Sequence, residues 1–323
     1  MCTAISIITK DHYFGRNLDL EYSYEECITI TPRNYPFLFR NASDRKSHYT
    51  LIGVATIRQN YPLYYDATNE HGLSMAGLNF PGNAVYYPKK SGYDNIAPFE
   101  LIPWVLGQCK TVEEARVLLS KLNLVCTPFS NDLPLTPLHW ILADRKESIT
   151  IEPMATGLML HDNPVGVLTN NPPFDYHLTN LNNFMNLTAE EPSNRFCKQL
   201  HMTAYSRGMG AIGLPGDLSS PSRFIRAAFT KLSSVCVTDE KSSVSQFFHI
   251  LDSVSQTEGC VKVGNAYEKT IYSSCCNTSR GIYYYKTYTN NQITAVHLFH
   301  EDLGSKEIIK YPLRNSQNIF LEN

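Results

Sequence analysis

"MCTAISIITKDHYFGRNLDL", residues 1–20, reads as two β-strands, TAISIIT and HYFGRNLDL, separated at Lys10 and Asp11. Both runs are rich in β-branched and aromatic residues and are bounded by polar turn formers. A strand this early must find its partners in the chain that follows. More strand-like runs come at once: CITITPRN (27–34), TLIGVATI (50–57), PLYYDAT (62–68) and GLSMAGLNF (72–80). The pattern then changes to a helical period in PFELIPWVLGQC (98–109) and TVEEARVLLSKL (111–122), where Thr111 and Glu114 have capping-box spacing. Residues 137–163 resemble a strand meander turning at DRKE and near ATG. Residues 174–185, 221–232 and 242–254 read as helices. The tail returns to strands in KTIYSSCC, GIYYYKTYT and QITAVHLFH, the last two joined across Asn290 and Asn291. Strands at both ends with helices between them, and no repeat or linker, predict one α+β domain spanning residues 1–323. A sheet sandwich covered by helices fits that order.

Bulk properties narrow the function. Apolar residues make up 43% of the chain and charged residues 18%, enough for a sizeable core and too ordered a mixture for a disordered chain. A net charge of −2 lacks the basic surplus expected of a nucleic-acid binder. No window approaches the ~18 consecutive apolar residues of a membrane helix. The first residues lack the basic start of a secretory signal, so a cytoplasmic location is expected. The odd count of nine cysteines, scattered without a C-x-x-C pair, then predicts reduced thiols and no structural zinc.

Cys2 is the residue with the most chemistry available to it. If Met1 is trimmed, one residue carries both a thiol, pKa about 8.5, and an α-amine, pKa roughly 7.7–8.0. The amine can accept the thiol's proton directly or through a water, which activates the sulfur without a histidine. A cysteine merely following the initiator is the bland alternative. A hairpin turning at Lys10-Asp11 predicts Asp19 opposite Cys2, with Arg16 nearby. The carboxylate can hold the amine, and the guanidinium favours a thiolate. Residues three apart on a strand face opposite sides, so both reach the thiol only if the strand twists or bulges.

Two asparagines close apolar strands: Asn79 in AGLNFPG and Asn170 in GVLTNNPPF. Side-chain amides at such places can donate to an oxyanion, or they can simply cap turns. Arg223, in SSPSRFIRAAF, falls in the first turn of a helix with Ser220 as N-cap and Pro221 as first residue, where a cation opposes the helix dipole. His139 and His249 lie in apolar runs and read as core residues. His297 and His300 read as pointing to opposite faces of a strand. The other eight cysteines read as buried thiols. Metalloprotease, serine-elbow and phosphate-loop motifs are absent.

Several stretches, in order, resemble the choloylglycine hydrolases, or bile salt hydrolases: MCTA, FGRNLDLEYSY, YPLYYDATNEHGLSMAGLNFPG, LHWILAD, GVLTNNPPFDYHLTNLN, GLPGD and SRFIRAAF. That family belongs to the N-terminal-nucleophile hydrolases and is related to penicillin V acylases. The resemblance implies a four-layer αββα sandwich, a homotetramer, no cofactor or metal, and hydrolysis of glycine- or taurine-conjugated bile salts. By resemblance Cys2 is nucleophile and base, and Arg16 and Asp19 are its partners. Asn79 and Asn170 contact the oxyanion or substrate amide, and Arg223 supports the site. Leu18, Tyr65, Phe129 and Leu133 are implied to line the steroid pocket. The penicillin acylase branch carries tyrosine where this chain has Asn79, which favours bile salts. A penicillin V acylase-like amidase, lactone hydrolysis as a side activity, and a non-catalytic bile-salt binder remain alternatives.

Overall fold

A computed structural model describes residues 1–236 and 238–323. The chain opens with β1 (Cys2–Ile8), β2 (His12–Leu20), β3 (Cys27–Thr31), β4 (Leu51–Arg58), β5 (Tyr61–Asn69) and β6 (Ser74–Asn79). A short β7 (Asp94–Ile96) leads to α1 (Leu101–Leu106), α2 (Val112–Leu119) and β8 (Leu122–Leu124). The meander is β9 (Leu138–Ala143), β10 (Ser148–Met154) and β11 (Gly157–Asp162). It is followed by β12 (Val167–Leu168), α3 (Phe174–Asn180), α4 (Ser220–Ser233) and α5 (Glu240–Asp252). The last strands are β13 (Val261–Val263), β14 (Ala266–Asn277), β15 (Ile282–Thr287), β16 (Asn290–His297) and β17 (Ile309–Pro312).

Two antiparallel sheets result. One runs β12-β1-β2-β14-β15-β16, with β13 added to β14; the other runs β11-β10-β9-β6-β5-β4-β3-β17. Helices α4 and α5 pack on the first sheet and α1 on the second, where α2 joins the same apolar cluster. The order is therefore helix, sheet, sheet, helix: the expected αββα sandwich. Strands β1 and β2 lie in its middle and are buried on both faces almost throughout. Each large apolar side chain so enclosed contributes roughly 1.5–3 kcal/mol. The same enclosure buries His12, Arg16, Asn17 and Asp19, so each needs polar partners.

Close contact between strands depends on Gly15. A Cβ there would stand 2.0 Å from the carbonyl oxygen of Ser274 on β14. The β1–β2 hairpin departs from expectation by one position: Cys2 pairs with Leu18 and Ala4 with Arg16. The cause is a three-residue turn, Thr9 to Asp11, closed by the Thr9 amide on the Asp11 carbonyl at 3.0 Å.

Smaller corrections have equally local causes. The β15–β16 turn lies at Tyr288-Thr289, because Asn290 already pairs with Thr287. Ser219, not Ser220, is the N-cap of α4. The capping box at α2 is half formed, because Thr111 accepts from Glu114 N while the Glu114 carboxylate takes the Lys110 amide. His249 is exposed on α5, opposite the buried Phe247, Phe248 and Ile250. β16 ends at His297 in a 3-10 turn that stacks the His297 and His300 rings 4.0 Å apart, so they do not point apart. All nine cysteines are free; of the eight beyond Cys2, Cys109, Cys275 and Cys276 are buried, Cys27, Cys197 and Cys236 are only partly buried, and Cys126 and Cys260 are exposed.

Candidate active site

Three strands converge on Cys2. β12 pairs with β1 through Ala4↔Leu168, and continuing that register places Asn170 opposite Cys2 on one side. β2 places Leu18 opposite it on the other. The Cys2 amide nitrogen donates to Asn170 Oδ1 at 2.8 Å, and Asn170 Nδ2 donates to the Asn79 carbonyl at the end of β6 at 2.7 Å. Asn79 thus enters the cluster through its backbone. Its half-buried side-chain amide has no hydrogen bond among the described residues, so it keeps a donor to offer.

Arg223 does what its place in the helix hinted. One turn into α4 it turns back toward β1, fully buried. Nη1 donates to the Cys2 carbonyl at 2.5 Å and to Thr3 Oγ1 at 2.7 Å, and Nη2 donates to Asn170 Oδ1 at 2.8 Å. The helix start remains compensated by Asp217, whose carboxyl is pulled down to about 2 by hydrogen bonds from Ser219 and Ser222.

The corrected register separates Arg16 from Asp19. Pairing Cys2 with Leu18 puts Cys2, Leu18 and Arg16 on one face of the sheet and Asp19 on the other. Arg16 spans the gap between the sheets, with Nη1 donating to Tyr65 O at 2.9 Å and to Gly77 O at 2.5 Å. Its Nη2 is buried without a partner among the described residues. Across the gap, Asp66 accepts from the Tyr272 hydroxyl at 2.6 Å and from the Tyr283 hydroxyl.

Asp19 is fully buried on the helix side. Burial pushes its carboxyl up; Arg223, the chain amine, Thr270 and Arg16 pull it down. Oδ1 accepts from Thr270 Oγ1 at 2.6 Å, while Oδ2 is buried with no partner among the described residues. Met1 stands beside this carboxylate. Its ammonium donates to the Asp19 carbonyl at 2.8 Å and pairs with the buried Glu268, and burial lowers its pKa.

The four residues implied to line a pocket divide between two clusters. Leu18 and Tyr65 pack in the cluster that holds Cys2. Phe129 and Leu133 pack in the other, between the second sheet and its helices, where Phe129 meets Tyr61 and Phe99. Sequence reasoning passed over Glu152 and His177 and read His139 only as core, yet His177 bonds the Asn170 carbonyl, His139 bonds the Thr169 carbonyl before it, and Glu152 bonds His139. A glutamate alternating among the isoleucines of a doubly buried strand was the available signal. Among the described residues no group of three or more His, Cys, Asp or Glu could hold a metal ion. No helix among them is long and apolar enough to cross a membrane.

An αββα sandwich whose first strand carries a cysteine at its start is the fold of N-terminal-nucleophile hydrolases. A model of the linear amide C–N hydrolases, choloylglycine hydrolase family, matches residues 2–311. The chain belongs to that family. A bile salt hydrolase/transferase of Lactiplantibacillus plantarum is 55% identical over the full length of both chains, and one of Clostridium perfringens is 38% identical over 99% of each. The crystal structure of a mutant conjugated bile acid hydrolase from Clostridium perfringens superposes over the whole of both chains with a TM-score of 0.92 at 36% identity. A penicillin V acylase from Agrobacterium tumefaciens shares the fold, with a TM-score of 0.74 over 96% of this chain and 91% of its own, at 20% identity.

Proposed function

We propose that this protein hydrolyses the amide bond of glycine- or taurine-conjugated bile acids through a thioester on Cys2. The observation that carries the reading is the orphaned Asp19 Oδ2, buried beside the start of the chain. Removal of Met1 turns the Cys2 nitrogen into an ammonium with hydrogens beyond the one Asn170 already accepts. A buried carboxylate oxygen without a donor is costly, and a new cation next to it offsets that cost.

Chemically, the neutral form of the amine takes the thiol proton, becoming the ammonium that later serves as acid, and the sulfur attacks the amide carbon. The developing oxyanion is met by the free side-chain amide of Asn79, and the Asn170 side chain holds the amine. Arg16 supplies the positive charge on the sulfur's face of the sheet. Collapse breaks the C–N bond as the ammonium returns its proton to the departing glycine or taurine nitrogen. Water then attacks the thioester, losing a proton to the same amine, and releases the bile acid as sulfur leaves. Leu18 and Tyr65 are suited to steroid contact near the sulfur; Phe129 and Leu133 would act through the loop that carries them.

The chain acts as one domain over 1–323, in the cytoplasm. Large exposed side chains along the loop before α4, Met185, Phe196, Tyr205 and Ile212, support assembly into a homotetramer. Intact-mass analysis with matched glyco- and tauro-conjugates tests the mechanism. Active enzyme is expected to begin at Cys2, and Cys2→Ala is expected to lose turnover while keeping its fold. Full activity with Met1 retained would overturn the mechanism, and preferential cleavage of penicillin V would overturn the substrate assignment.

A further inference from the structure

The segment that delivers Asn170 is held by more than its strand. Each polar atom of Asn170 is engaged: Oδ1 with Cys2 N and Arg223, Nδ2 with the Asn79 carbonyl, N with Ser220 Oγ at 2.8 Å, and O with His177 Nε2 at 2.9 Å. The preceding carbonyl, of Thr169, accepts from His139 Nε2 at 2.9 Å. Two imidazoles therefore hold successive carbonyls of the same short segment.

Both imidazoles lead back to Glu152. On β10 and fully buried, it accepts from His139 Nδ1 at 3.0 Å and from the Phe174 amide at 3.1 and 3.2 Å. His161 Nε2 stands 3.5 Å from its other oxygen. Phe174 begins α3, and His177 lies one turn further along the same helix. The carboxylate is thus tied to Thr169 through one ring and to Asn170 through one helical turn. Burial works against its charge, yet hydrogen bonds from His139 and His161 and from Phe174 hold the carboxyl down to about 2.

The two rings serve differently. Both nitrogens of His139 face acceptors, the Glu152 carboxylate and the Thr169 carbonyl. The His139 ring also stacks on Phe80, next to Asn79, with centroids 4.2 Å apart. His177 has one bonded nitrogen and a buried Nδ1 without a partner among the described residues, which suits a neutral ring donating from Nε2; burial lowers its pKa to about 4. It stacks on Phe224, the neighbour of Arg223.

We propose that Glu152, His139 and His177 form a positioning centre that fixes Thr169–Asn170 against Cys2, so that the amide hydrolysis depends on residues which touch neither substrate nor sulfur. The inference rests on the role given above to Asn170. A displacement of about 1 Å in a reacting group costs on the order of 100-fold in rate. Loss of one of these carbonyl anchors is therefore expected to act on kcat and to leave substrate binding intact.

The test compares His139→Leu, His139→Gln, His177→Phe and Asn170→Ala on glyco- and tauro-conjugated bile salts. Circular dichroism and unfolding midpoints confirm that the folded fraction is the one assayed. His139→Leu and His177→Phe are expected to lower kcat by at least about tenfold with KM within about twofold. Both are also expected to slow alkylation of Cys2 by iodoacetamide. His139→Gln, which keeps an N–H donor toward Thr169, is expected to recover most of kcat. If His139→Leu fails to fold, His177→Phe carries the same reading. Folded variants with wild-type kcat, or with losses confined to KM, overturn the positioning centre. An active Asn170→Ala instead overturns the role of Asn170, which separates the two failures.

Discussion

Asp19 is the residue at which the electrostatics of the site are most finely set. Burial raises the pKa of this fully enclosed carboxyl, against the pull of Arg223, the chain amine and the Thr270 hydroxyl. Thr270→Val removes the hydroxyl donor, one of the influences that hold the carboxyl down. The Asp19 pKa should rise, and with it the acid limb of the kcat profile should move to higher pH; a pH–rate comparison with wild type reads this, and an unmoved limb would count against Asp19 as holder of the amine. Cys2, Asn170 and Arg223 were legible in the sequence because each broke a local expectation: an exposed-looking thiol, an amide ending an apolar strand, a cation at a helix start. Glu152 and His177 were not, since their meaning lies in contacts between β10, α3 and the segment after β12. Short-range pattern carries no trace of such contacts.

Among the elements, the β1–β2 hairpin shows how one residue changes the chemistry. The strands themselves follow from composition and period, as do the meander and the helices that cover the sheets. Turn length does not, because Thr9-Lys10-Asp11 can close a hairpin in more than one way. A slip of one position exchanges the faces of every side chain. Here it leaves Arg16, not Asp19, on the side of the Cys2 sulfur and resolves the difficulty of two residues three apart serving one group. Gly15 fixes the next pairing, of β2 with β14. Gly15→Ala is expected to destabilise the fold by about 1–3 kcal/mol or more, because the new methyl would occupy the place of the Ser274 carbonyl. Urea unfolding measures the loss, and a midpoint equal to wild type would show that β14 can retreat without cost.

At the scale of the whole molecule, acid should weaken the fold through buried histidines. His12 lies between the sheets, bonded to Ser6 Oγ at 2.9 Å and Thr278 Oγ1 at 2.8 Å, and burial lowers its pKa to about 4. The unfolded chain binds a proton below about pH 6.5 that the native ring refuses until about pH 4. This penalty is absent above 6.5 and grows as the pH falls to 4, reaching on the order of 3 kcal/mol. His12→Gln should flatten the fall in stability over that window by a similar amount relative to wild type. Equal slopes in denaturant titrations at pH 7, 5.5 and 4 would show that His12 is protonated in the native state. A helix-covered sheet sandwich was legible from the succession of strands and helices, whereas the four αββα layers came from the family resemblance. The division of apolar residues between its two cores was not, which is why Phe129 and Leu133 stand apart from Leu18 and Tyr65.

The enclosed start of the first strand has a consequence for anyone making this protein. An affinity handle fused ahead of Met1 would have to thread past Glu268 and Asp19, and it would leave a folded, purifiable and inert product. A handle after Asn323 follows residues that are already exposed and leaves the sulfur's neighbourhood alone. Where a leading tag is unavoidable, a cleavage site whose first remaining residue is the cysteine should restore turnover at the moment of cutting.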